Sequence, residues 1–137
     1  MYGPIIFSAY INSTQRFDIG ECISRFTGFL TNFGDSFTLS NGTFRAPRNG
    51  IYEFSASAYH QDTIANRLLV VKNEQEIILK FQDWYNEAIA VGDWDWTLTF
   101  NWIIELQKGD TVHLEVQDGF FICAEDRYCI FNGKYIM

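Results

Sequence analysis

The sequence predicts an all-β domain of two packed antiparallel sheets, a sandwich or jelly roll. Apolar residues recur with a period of two almost everywhere, turn-forming residues separate the runs at short intervals, and helical periodicity is almost absent. Many short strands joined this way are the pattern of sandwiches and jelly rolls. The ten expected strands cover residues 5–12, 24–31, 36–40, 43–46, 50–60, 66–72, 76–82, 96–106, 111–117 and 129–136.

Turn chemistry fixes several of these boundaries in order. Asn41-Gly42 and Asn49-Gly50 tolerate positive φ and bracket the short run 43–46. In the long strand that follows, Tyr52, Phe54, Ala56 and Ala58 alternate with Glu53, Ser55, Ser57 and Tyr59. Farther on, Leu98, Phe100, Trp102, Ile104 and Leu106 alternate with Thr99, Asn101, Ile103 and Glu105, so one face of that strand is core. Lys108-Gly109-Asp110 reverses the chain, and Val112, Leu114 and Val116 alternate with Thr111, His113, Glu115 and Gln117 up to Asp118-Gly119. Asp83 to Asp95 is the longest stretch with neither clear alternation nor a tight turn. The sequence has no internal repeat, no low-complexity segment and no collagen-like Gly-X-Y tract.

A chain of 137 residues fits a single domain over 1–137 and can bury a real core. Its 47% hydrophobic and 18% aromatic content is too high for disorder, and some of the rings should face partners. A net charge of −7 with Lys and Arg scattered singly gives no footprint for nucleic acid or an anionic membrane. No apolar run approaches the roughly 20 residues that span a bilayer. Met1-Tyr2-Gly3-Pro4 lacks the basic and apolar regions of a signal peptide.

Three cysteines cannot all pair within one chain. Cys123 and Cys129 are close enough to close a small loop across a turn while Cys22 stands apart; the alternative is three buried thiols in a reducing compartment. The sequons Asn12-Ser13-Thr14 and Asn41-Gly42-Thr43 favour a secreted, extracellular protein.

From Phe26 to Ala56 the spacing of aromatics resembles the signature of the C1q globular-head family. Phe26, Asn32, Phe37, Phe44, Gly50, Tyr52 and Phe54 fall in register with it, whereas Ala56 stands where the pattern has Phe or Tyr. Phe7-Ser8-Ala9, the run Leu106 to Val112 and the run Phe131 to Ile136 extend the likeness over essentially the whole chain. The resemblance implies a ten-stranded jelly roll of the C1q and tumour-necrosis-factor superfamily that assembles as a homotrimer. The residues themselves have packing reasons: Tyr52 and Phe54 share a face, and Gly133 sits where a neighbouring backbone is expected to come close.

In such a sandwich the connections near 60–66, 83–95 and 118–128 should share one end. They hold Asp62, Asp83, Glu87, Asp93, Asp95, Asp118, Glu125 and Asp126, eight of the seventeen carboxylates, with Arg127 as the only base. Carboxylates gathered in this way are either simply solvated or bridged by a cation, and Ca²⁺ takes six to eight oxygens from flexible loops. C1q-type heads are similar in using acidic loop residues for Ca²⁺ near the threefold axis, and Asp83, Asp93 and Asp95 best match those positions. Trp84, Tyr85 and Trp94, with Glu87 and Asp126, offer the ring-and-carboxylate chemistry of sugar recognition; the alternative places the indoles in the core or a subunit interface.

Catalysis is not expected. His60 and His113 are the only histidines, and neither joins a cysteine, serine or acid at a spacing that suggests an active site or metal site. The reading is therefore a lectin-like innate-immune recognition module binding carbohydrate or another surface ligand. The alternative is a cytokine-like ligand, or a structural trimerisation head, for a protein receptor.

Overall fold

The computed structural model describes residues 3–61, 65–84 and 95–137, the side chains of 61, 65, 83, 84, 95 and 96 excepted. Among these residues there are twelve strands and no helix. They are β1 (Ile6–Ile11), β2 (Gln15–Phe17), β3 (Gly28–Phe33), β4 (Phe37–Thr38), β5 (Thr43–Arg45), β6 (Gly50–Gln61), β7 (Ala65–Lys72), β8 (Glu76–Trp84), β9 (Asp95–Leu106), β10 (Thr111–Asp118), β11 (Phe121–Cys123) and β12 (Cys129–Tyr135). One sheet has the order β3-β1-β12-β6-β9, the other β4-β5-β10-β7-β8, and β11 pairs with β2 apart from both. Every ladder between these strands is antiparallel. The fold is the jelly-roll sandwich expected from the sequence.

Alternation decides which residues meet between the sheets. Phe7 of β1 stacks on Phe37 of β4 at 4.4 Å, Phe44 of β5 meets Phe54 of β6 edge-on at 5.0 Å, and Phe81 of β8 stacks on Phe100 of β9 at 4.1 Å. Each pair joins one sheet to the other, and such ring contacts add about 0.5–1.5 kcal/mol to the burial itself. The family-pattern residues Phe26, Phe37, Phe44, Tyr52 and Phe54 are all core, whereas Asn32 is exposed. Ala56, flanked in register by Phe131 and Phe100, is buried as well. The aromatic surface beside it comes from those neighbours, and Phe100 in turn stacks on Phe81 across the sandwich.

Gly133 corrects one expectation. A Cβ there would lie 2.5 Å from Phe7 and 2.8 Å from Phe54, so rings rather than a backbone require the glycine. The second expected strand, 24–31, is also displaced, to Gly28–Phe33. Arg25 takes a left-handed φ of 56°, which interrupts an extended chain. The N–H groups of Arg25 and Phe26 instead donate to the carbonyls of Ser40 and Leu39, which shortens β4 from the expected 36–40. Two further strands, β2 and β11, are three residues each, too short for periodicity to reveal.

Candidate functional site

The strand registers gather several chain reversals at one end of the sandwich. Gln61 at the end of β6 lies opposite Asp95 at the start of β9, and Ala65 at the start of β7 lies opposite Trp84 at the end of β8. Asp118, ending β10, pairs with Arg67 beside them. The turn between β11 and β12 is closed by reciprocal backbone bonds between Ala124 and Arg127, and a disulfide joins Cys123 to Cys129 with Cα atoms 5.5 Å apart. That bridge ties the small β11–β2 sheet to the first large one.

The expected ligand-binding and metal residues divide between this pole and the part of the chain outside the description. Asp83 and Trp84 are the last residues of β8 and Asp95 the first of β9, so their backbones stand at this end. Asp62, Tyr85, Glu87, Asp93 and Trp94 lie outside the described residues. Asp126 is at the turn, its side chain 80% exposed, with Oδ1 3.4 Å from Arg127 Nε.

The pole carries more positive charge than expected, because Arg127 is not its only base. Arg67 donates to Asp118 at 2.5 Å and to Gln82, spanning β10, β7 and β8. Arg16, brought in by the pairing of β2 with β11, lies 4.0 Å over the Phe120 ring. Asp118 is therefore an ion-paired group. Sequence spacing missed both arginines: Arg67 lies one residue inside a strand, and Arg16 arrives through a pairing between distant segments.

The outer face of the first sheet forms a second candidate surface. Thr31, Ser8, Asn132, Ser55 and Asn101 stand in one cross-strand row from edge to edge. Ser8 Oγ donates to Asn132 Oδ1 at 2.5 Å, and Asn132 Nδ2 donates to Ser55 Oγ at 3.1 Å. These residues line a depression of about 430 Å³. In the adjoining row Phe33, Ile6, Lys134, Glu53 and Ile103 follow one another, and Lys134 Nζ sits 3.3 Å from Glu53 Oε1. Phe33 and Ile103, at the two edges, are 57% and 62% exposed, and Leu30, on β3 with Phe33, is 70% exposed.

On the second sheet, the fold brings together His113 and Cys22, which no suggestive spacing joins in the sequence. Cys22 lies opposite Glu115 in an isolated antiparallel bridge, and His113 stands two residues away on the same face. Burial pushes the Cys22 thiol above its ordinary range, and the carboxylates of Glu115 and Glu74 push it further. The contact was hidden because a loop, not a predicted strand, delivers the cysteine.

Comparison with known proteins bears on the whole architecture. Among solved structures, the globular domain of zebrafish complement 1qA protein superposes with a TM-score of 0.77 at 20% identity, covering 98% of each chain. The structure of Eiger TNF from S. frugiperda gives 0.80 at 10% identity, over 99% of this chain and 94% of that one. Murine APRIL at pH 5.0 gives 0.69 at 9% identity, over 98% of this chain and all of the other. At such identities these likenesses establish the jelly-roll fold. No helix among the described residues is long and apolar enough to cross a membrane. Residues 6–137 match the C1q domain, so the chain belongs to the C1q domain family.

Proposed function

We propose that this C1q-type domain is a secreted, non-catalytic recognition module that assembles as a homotrimer and presents its reversal-bearing pole to carbohydrate or another surface ligand. The observation that carries this reading is the registers that place the end of β8 and the start of β9 at one end, so that the acidic, Trp-bearing connection 83–95 starts and finishes there. Threefold assembly would multiply that end, turning weak single contacts into avidity. Ca²⁺ bound by Asp83, Asp93 and Asp95 would offset the repulsion among the carboxylates and shape the loop, while Trp84, Tyr85 and Trp94 would stack on sugar C–H faces. Glu87 and Asp126 would accept hydroxyl protons.

The subunit interface in this reading is the outer face of the first sheet. Leu30, Phe33 and Ile103 expose apolar surface at its edges, with one Lys134–Glu53 ion pair between Phe33 and Ile103 and a row of uncharged polar side chains alongside. A low-charge patch of this kind resembles the core of an interface. A second reading, a cytokine-like ligand gripped by a receptor between subunits, is favoured by the backbone likeness to Eiger TNF, at 0.80 as close as that to complement 1qA at 0.77.

A glycan array probed with and without EDTA separates the two. The lectin reading expects binding that disappears on chelation and in Trp84→Ala or Trp94→Ala, with the assembly intact. A silent array from an intact trimer would shift the reading to a protein receptor.

A further inference from the structure

We propose that Cys22, His113 and Glu115 form a Zn²⁺-class metal site on the outer face of the second sheet. The loop segment 20–23 runs alongside the later half of β10 as an extra edge: Gly20 N–H donates to Val116 O, Ile23 N–H to Leu114 O, and Val116 N–H to Glu21 O. Facing residues in such a ladder share a side. Ile23 and Leu114 therefore point into the core, where both are buried, and Cys22 and Glu115 point out. His113, two residues before Glu115, shares that outward side. Backbone register alone puts the three groups together.

The side chains then converge. Cys22 Sγ, a His113 ring nitrogen and a Glu115 carboxylate oxygen all lie within 4.8 Å of one another. A tetrahedral ion with bonds of about 2.0–2.3 Å needs ligand separations of roughly 3.3–3.7 Å, within reach of small rotamer adjustments. Independently, His113 is only 6% exposed, yet its Nε2 has no hydrogen-bond partner. That nitrogen stands 3.7 Å from Glu115 Oε1, too far for a hydrogen bond and close enough for an ion to bridge. A buried imidazole nitrogen left without a partner costs free energy, and a metal ion would satisfy it.

The donor set decides the metal. One thiolate, one imidazole and one carboxylate suit Zn²⁺, whereas Ca²⁺ takes hard oxygens only. Glu74 acts electrostatically on the thiol, adding negative charge around the site. Three protein ligands leave a fourth position for water. The bound ion would clamp segment 20–23 onto β10. The site is on the sheet opposite the proposed trimer face, so it stands whether or not the chain trimerises.

The test is a Co²⁺ and Zn²⁺ titration of the metal-stripped full chain under anaerobic conditions, with no reductant, so that the Cys123–Cys129 disulfide stays closed and Cys22 is the free thiol. The expected result is a thiolate-to-cobalt charge-transfer band with the visible spectrum of tetrahedral Co²⁺, displaced by Zn²⁺ and untouched by excess Ca²⁺. Cys22→Ser should abolish the charge-transfer band. Cys22→Ser and His113→Gln should each weaken Zn²⁺ binding by roughly 100-fold or more, since even changes behind a ligand cost 10–100-fold. Because His113→Gln disturbs a buried position, a second readout uses the unaltered chain: Zn²⁺ should protect Cys22 from alkylation. Absence of the band, or an alkylation rate indifferent to Zn²⁺, would overturn the assignment.

Discussion

The two sheets turn opposite kinds of surface outward. On the first, outward residues that are apolar stay exposed, as Ile103 and Phe33 do. On the second, Leu69 and Val71 also point away from the space between the sheets, facing Glu115 and His113 in register, yet they are only 4% and 3% exposed. Around β10 and β7 the second sheet covers its own outer face, with segment 20–23 closing one side of β10 and Glu115 and Lys80 flanking Leu69, while Ile77 at the β8 edge stays 51% exposed. The first sheet leaves its apolar edges uncovered. Contiguous exposed apolar surface marks interaction sites, which is why the proposed assembly uses this face. The contrast leaves the outer face of the first sheet as the one that the proposed assembly would cover.

Substitution can break that contrast. Leu69→Ala should cost about 2–5 kcal/mol, as truncation at a fully packed site does. Ile103→Ala, on the exposed face, should cost under about 0.5 kcal/mol in the isolated subunit. Urea denaturation at subunit concentrations too low for assembly measures both, and equal costs would erase the distinction between the faces.

A smaller effect concerns the turn that holds β10 in place. Burial raises the Asp110 pKa, but the hydrogen bonds from Asn73 and the Gln107 N–H, with Lys72 nearby, outweigh it and bring the carboxyl below its ordinary value. A folded-state pKa below the unfolded one means that Asp110 stabilises the fold above the ordinary value of 3.8, and that this contribution is lost as pH falls through the folded value. Asp110→Asn should therefore flatten the acid limb of the stability curve and cost about 1 kcal/mol near neutral pH. An unchanged acid limb would remove the turn from the account of how the second sheet is fixed.

The parts of the molecule legible in the sequence were those that alternation writes into single strands. The long strands β6, β9 and β10 announced themselves because polar and apolar residues trade places along them, and the aromatic spacing identified the family. What escaped was set by pairing between distant segments. Three-residue strands such as β2 carry no measurable period, and only their partner β11 shows them to be strands. The placement of Arg16 at the pole follows from that same pairing. The meeting of Cys22 with His113 and Glu115 depends on a loop acting as a ladder edge, and the single available hint was a histidine and a glutamate two residues apart on one strand face. Of the expected metal ligands Asp83, Asp93 and Asp95, register supplied the position of two backbones.

The central claim is that the outer face of the first sheet is covered by further copies of the chain. Sedimentation velocity of the intact protein and of Ile103→Arg combined with Leu30→Arg tests it most directly. The account predicts a species of three 15.9 kDa chains for the unaltered protein and folded single chains for the double variant. In the proposed interface, arginine at these two positions should cost at least about 2 kcal/mol of association each. A stable monomer before substitution, or a trimer that survives both arginines, would contradict it.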